Sequence, residues 1–184
     1  MKYLVLLLLI ISLNIPISVK AQQCQGENPI TMILKGYKTD YRLLAPNATF
    51  LIDMNEGVFS MNISLEKFKS LDSIDAKTFL ESVFEEDFFQ NLSYIGIIPV
   101  SKFDKESGKI QKFTISGNLV LGDIKSQVPM DLTLDYMDRD LIFSFVLTLT
   151  PKDLTMSIPD SYKSILTGNI ELRTDNSKLI IPKY

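Results

Sequence analysis

Apolar and polar residues alternate with a period of two along most of this chain, most clearly over residues 113–136 (FTISGNLVLGDIKSQVPMDLTLDY). Phe113, Ile115, Leu119 and Leu121 fall on one face of an extended strand, with Gly117 between them; Thr114, Ser116 and Asn118 fall on the other. After a polar connection over residues 122–127, Val128, Met130, Leu132, Leu134 and Tyr136 point one way and Asp131, Thr133 and Asp135 the other. That pattern predicts a half-buried β-hairpin, and a hairpin apolar on one side needs a second sheet, or closure into a barrel, to cover that side.

Further strands follow by the same reasoning. Residues 22–29 read as a loose polar lead-in and 30–38 as a first strand. In 49–54, Phe50, Ile52 and Met54 share a face; a turn at Asn55-Glu56-Gly57 leads to 58–65, with Phe59, Met61, Ile63 and Leu65 inward. Residues 93–103 predict a strand interrupted by Pro99, which places it at an edge or a bulge, and 104–109 a hairpin loop. Residues 141–150 put Leu141, Phe143, Phe145, Leu147 and Leu149 on one side; 151–159 cross an end, and 165–173 form a last strand. One segment breaks the period. From Ser73 to Gln90, Asp75 can cap a helix whose Phe79, Leu80, Val83 and Phe84 recur at spacings of three and four. Glu85-Glu86-Asp87 read as its solvated end, and Phe88-Phe89 as a turn laid onto the sheet. The expected fold is all-β with one or two short helices: an antiparallel barrel of about eight strands, whose lumen holds side chains or one elongated ligand.

The first residues change the picture. Lys2 precedes the apolar run 3–13, and small Ala21 closes the segment, as in a secretory signal peptide. The run is too short to be read as a membrane span. Cleavage near Ala21 would leave one domain, 22–184, exported to the periplasm or secreted, with no integral membrane segment. Cys24 follows two glutamines, unlike a lipidated cysteine, and with no second cysteine it forms no internal disulfide.

Composition narrows the chemistry. Loss of Lys2 and Lys20 takes 19 basic residues to about 17 against 22 acidic ones, a net charge of about −5 with no basic cluster. Such a surface does not suit nucleic acid. The chain contains no His, which excludes Ser-His-Asp and Cys-His catalysis and leaves carboxylate-bound calcium as the one plausible metal chemistry. Paired carboxylates such as Asp53 with Glu56, or Asp138 with Asp140, sit beside predicted turns, where solvated acids are expected in any case. No enzyme, no cofactor and no metal are expected. Asn47, Asn62 and Asn91 open glycosylation patterns that matter only in a eukaryotic source.

Three segments together resemble the YceI-like family of exported, lipocalin-like barrels. Residues 80–89 (LESVFEEDFF) are similar to its helix ending in a Phe-Phe pair, 113–134 to its signature hairpin, and 141–159 to its later strand and crossing. The early Trp and the His and Arg positions of the family are missing, and Leu154 stands where an aromatic is usual. The resemblance implies a bacterial, non-catalytic protein that encloses a long apolar ligand, isoprenoid or fatty-acid-like. The candidate lining is the inward set Phe59, Met61, Phe113, Ile115, Leu119, Met130, Leu132, Leu134, Phe143, Phe145 and Leu147. Alternation predicts burial without separating a cavity from a filled core. A structural protein that uses a filled barrel to bind a protein partner is therefore the alternative. The oligomeric state, a homodimer included, is left open.

Overall fold

The computed structural model describes residues 23–84, 90–104, 108–137 and 140–181. The expected leader, the Glu85–Phe89 segment and Asp138 lie outside these residues. The described elements, in chain order, are β1 (Gln23–Gly36), β2 (Tyr41–Asp53), β3 (Val58–Ser64), β4 (Lys69–Ser70), α1 (Ala76–Phe84), β5 (Asn91–Ile97), β6 (Ile110–Leu121), β7 (Ile124–Met137), β8 (Asp140–Leu149) and β9 (Leu166–Ile180), with 3₁₀ turns at Leu65–Lys67 and Val100–Lys102. The strands run in the order β1-β9-β8-β7-β6-β5-β3-β2, and β1 pairs back onto β2, so eight antiparallel strands close on themselves. Two-residue β4 hangs on β2 at Leu43 and Leu44. Closure is what covers the apolar face that every strand presents, and it removes the unpaired edges of an open sheet.

The central hairpin forms as expected, with a tighter turn. Leu121 pairs with Ile124, so the loop is Gly122-Asp123 alone, and Lys125, Ser126 and Gln127 are laddered against Val120, Leu119 and Asn118. Gly122 has φ 56°, the positive angle that a two-residue type II′ loop requires at its first position. The polar run hid a strand because its side chains point outward or sit at the rim.

Three other expectations are corrected. The polar lead-in belongs to β1: Gln23 to Asn28 pair with Asp53 to Ala48 of β2, and Gln25 also meets Ile180 of β9. Pairing to β2 along its length and to β9 at Gln25 holds this segment, with Cys24 as its buried anchor. The register slips where Pro29 of β1 faces the Pro46 region of β2, a bulge that accommodates two residues unable to donate to the ladder. Pro99 does not interrupt β5; the strand stops at Ile97, and Pro99 starts the 3₁₀ turn, its carbonyl accepting the Lys102 N–H at 2.8 Å. Finally, β9 continues to Ile180 through the polar run Thr174-Asp175-Asn176-Ser177, where pairing jumps from Phe145↔Thr174 to Phe143↔Ser177. Asn176 takes φ 50° in this bulge, and the buried Thr174 hydroxyl donates to the Pro29 carbonyl at 2.8 Å.

α1 starts where Asp75 Oδ1 accepts the Thr78 N–H at 2.6 Å, as the capping position predicts. Its buried side, Phe79, Leu80 and Phe84, closes one end of the barrel. Phe79 meets Tyr162, from the crossing between β8 and β9, edge-on at 5.0 Å, and Leu154 of the same crossing is fully buried. The end opposite this helical cap carries the Asn55–Gly57 turn and the β5–β6 connection.

Candidate functional site

The strands aim their alternate side chains into one continuous interior. All the residues of the expected lining except Phe113 are buried to 2% exposure or less. Sequence reasoning left out equally buried members: Phe50, Tyr94, Met32, Leu34 and Leu172. Phe50 and Tyr94 carried the signal, since each alternates with apolar neighbours in its own strand.

At mid-height the interior is bridged by aromatic rings. β3 and β8 stand on opposite walls, four strands apart in either direction around the barrel. Even so, Phe59 of β3 lies 5.9 Å from Phe145 and 6.3 Å from Phe143 of β8, centroid to centroid. Phe50 of β2 sits 5.0 Å from Phe143 and 5.8 Å from Phe145, and Tyr94 reaches Phe59 at 6.3 Å. These separations and the tilted or edge-on angles are those at which aromatic pairs attract. The four phenylalanines therefore form a plug that joins both walls, with Met61 and Met130 buried in the same core.

Gly117 is explained by Tyr94. Gly96 and Gly117 are cross-strand partners on β5 and β6, and a Cβ on Gly117 would stand 2.4 Å from Tyr94 Cζ. The two glycines open the wall for the ring of Tyr94. Its hydroxyl lies in donor reach of the Val128 carbonyl (3.1 Å) and the Ile115 carbonyl (3.3 Å), and burial pushes its pKa up to about 12. The small residue marks close approach and no spare volume.

Phe113 differs from the rest of the expected lining. It is partly buried near the end opposite the helical cap, where Phe103 lies 6.5 Å from both Phe113 and Tyr136. Gln111 fixes this corner by accepting the Asp104 N–H (2.7 Å) and donating to the Asp104 carbonyl (2.6 Å). Phe113 also borders two surface grooves, one of about 440 Å³ with Pro99, Lys102 and Gln111, the other of about 390 Å³ with Asp131, Leu132 and Thr133. Both grooves lie on the outer wall, lined by the outward-facing Lys112, Thr114, Asp131 and Thr133, and Phe113 is one of several partly buried apolar residues at the rims of the core.

Two of the acidic candidates for catalysis, Asp53 and Asp140, have structural work. Asp53 is 3% exposed and accepts from the backbone N–H groups of Asn55 (2.9 Å) and Glu56 (3.0 Å) and from the Gln23 amide (3.0 Å), which fastens the β2–β3 turn to β1. Burial alone would raise its pKa. The hydrogen bonds from Glu56, Gln23 and Asn55 outweigh burial and hold the carboxyl below its ordinary value. A lowered folded-state pKa contributes stability above the unfolded value and loses it as pH falls through the folded one. Asp53→Asn is thus expected to cost about 2 kcal/mol at neutral pH, with the gap to wild type closing as pH drops below about 4. Urea unfolding of both proteins at pH steps from neutral to 3 checks this, and a gap that stays constant contradicts it. Asp140 is paired with Lys178 at 2.6 Å. Cys24 is buried, and burial with the nearby Asp53 charge raises its thiol to about 11, so it is inert toward solvent. Among the described residues no group of three or more His, Cys, Asp or Glu side chains comes together that could hold a metal ion. No helix among them is long and apolar enough to cross a membrane.

A closed eight-stranded antiparallel barrel capped by one short helix is a lipocalin-like architecture. No family model and no curated protein sequence matches the chain; the likeness shows in solved structures. A polyisoprenoid-binding domain from Saccharophagus degradans, implicated in plant cell wall breakdown, superposes with TM-score 0.68 at 9% identity, over 89% of this chain and all of that one. BcnA of Burkholderia cenocepacia superposes with TM-score 0.57 at 13% identity, over 84% and 96% of the two chains. At such identities the likeness establishes the fold, and the resemblance to YceI-like barrels read from three segments of the sequence is borne out at that level.

Proposed function

We propose that this chain is a divergent YceI-like protein of a bacterial envelope, exported and non-catalytic, which takes a long apolar chain of isoprenoid or fatty-acid type into its barrel. The observation that carries the reading is a closed apolar interior rich in aromatic and Met side chains, rimmed at one end by the partly buried rings of Phe113, Phe103 and Tyr136. The fold neighbour described as a polyisoprenoid-binding domain supports it. Asp53 and Asp140, tied up in turn and ion-pair contacts, support a role without catalysis.

The aromatic plug sets the energetic condition. An incoming chain must part rings that hold each other at 5.0–6.3 Å. Each methylene it buries contributes about 0.8 kcal/mol, so a chain of tens of carbons offsets the loss of a few ring pairs at about 0.5–1.5 kcal/mol each. The same plug favours a second reading, in which the barrel stays filled and presents its outer surface to a protein partner.

Mass spectrometry of an organic extract from the purified mature protein, beside native mass spectrometry of the intact form, tests the proposal. A long-chain species at one per protein is the expected result, after incubation with a lipid extract of the native organism. Failure to take up any chain from that extract would establish the filled-core reading instead.

A further inference from the structure

Far from the Phe113 end, the loop between β1 and β2 presents an aromatic ring to water. Tyr37 is 67% exposed. Its backbone is fixed: the Tyr37 N–H donates to the Ile165 carbonyl at 3.0 Å, and the Gly36 N–H to Asp40 Oδ1 at 3.2 Å. Lys35 Nζ clamps the loop from below, 3.0 Å from Asp40 and 3.1 Å from Glu171. A Cβ on Gly36 would stand 2.0 Å from the Thr39 carbonyl oxygen, so the turn closes more tightly than any other residue allows. Exposed loop tips ordinarily carry small polar residues on mobile backbone. Here a large ring stands on an anchored one.

Tyr37 separates two depressions. On one side lies a groove of about 540 Å³ bordered by Ile33, Lys38, Thr39, Asp40, Arg42 and Asp72. On the other side Tyr41, Ser164 and Ile165 line a narrower cleft of about 210 Å³. The charges that line the groove cancel: Lys38 and Arg42 against Asp40 and Asp72. The Arg42 guanidinium holds Asp72 through Nε at 3.3 Å and one terminal nitrogen at 3.4 Å, while the Arg42 backbone N–H donates to Asp72 at 2.7 Å. The hydrogen bonds from Lys35 and Arg42 keep the Asp40 and Asp72 carboxyls below their ordinary pKa values, so both stay ionised at neutral pH.

A groove with balanced charge does not draw in an anion or a cation. It offers N–H donors and carboxylate acceptors side by side, which matches hydroxyl groups, each donor and acceptor at once. An exposed phenol ring adds an apolar face for the C–H side of a pyranose. We propose that Tyr37, with Arg42, Asp40 and Asp72, forms a binding site for a neutral oligosaccharide, independent of the barrel interior.

Cello-, xylo- and manno-oligosaccharides titrated into the mature protein test the proposal, with amide and Tyr-ring NMR shifts as the readout. At least one of them is expected to give saturable shifts confined to residues 36–42, 72 and 164–165, with a dissociation constant on the order of 1 mM or tighter. Tyr37→Ala should weaken that binding at least about tenfold without moving the thermal midpoint, and Tyr37→Phe should keep most of it. Absence of saturable shifts with all three sugars would overturn the proposal. So would binding that survives Tyr37→Ala, or a preference at this groove for an acidic sugar or a proline-rich peptide.

Discussion

Replacing Phe143 with alanine is expected to lower the unfolding free energy by about 3–5 kcal/mol, the upper part of the range for core truncations. Phe143 is 1% exposed and touches rings from two other strands, Phe50 at 5.0 Å and Phe59 at 6.3 Å. A barrel wall is hydrogen-bonded around its whole circumference, so it cannot collapse inward as a loose helix can. The cavity therefore persists, and the cost includes the contacts its lining loses. Phe59→Ala in the same background should show coupling of about 0.5–1.5 kcal/mol, as touching aromatic pairs do. That coupling crosses the lumen, and it separates a filled interior from two walls that happen to be apolar. Equilibrium urea unfolding of the four proteins in the cycle measures it, with Ile95→Ala, at a position 52% exposed, as the surface control. A loss at Phe143 no larger than that of the control would show the plug to be absent in solution.

Gly117→Ala is the second large effect, though it adds only one methyl group. The new Cβ would lie 2.4 Å from Tyr94 Cζ, 2.5 Å from its hydroxyl oxygen and 2.6 Å from the Ile95 carbonyl oxygen. The last of these is backbone in a laddered strand and cannot swing away. The ring of Tyr94 is held by its hydroxyl at Val128 and by Phe59. Overpacking of a dense core costs about 1–3 kcal/mol, and a clash with fixed backbone puts this substitution at the top of that range or above. Tyr94→Leu in the same chain should recover part of the loss by removing the ring while leaving the carbonyl contact. Thermal unfolding of the single and double variants gives the comparison. A stable Gly117→Ala protein would mean that the ring does not lie over the glycine pair.

How much of this was legible before the structure depends on where a strand's partners are. Residues 113–136 and 141–149 declared themselves because one face is buried and the other solvated, which writes the pairing into the sequence as alternation. β1 and the second half of β9 did not. Gln23 to Asn28 and Thr174 to Ser177 are mostly polar, and they are strands because of pairing to distant segments: the first to β2 and, at Gln25, to β9, the second to β8 across a bulge. Alternation also cannot say how wide a barrel is. The inward positions of Phe59, Phe143 and Phe145 could be read from their own strands; that their rings meet across the lumen depends on a distance between strands far apart in sequence. Gly117 carried a signal of close approach whose cause, Tyr94, belonged to a strand 23 residues earlier. The groove and the cleft beside Tyr37 were invisible for the same reason, since Asp72 reaches the one and Ser164 the other from distant segments.

The most direct measurement is a titration of the mature protein with a long-chain polyprenol, followed by NMR contacts between the rings of Phe59 and Phe145 and of Phe50 and Phe143. Without polyprenol both cross-lumen contacts should be present. At one equivalent they should disappear, replaced by contacts from each ring to the prenyl methyl groups. Persistence of both ring contacts at saturating polyprenol would contradict a ligand-binding interior and leave the barrel as a filled scaffold.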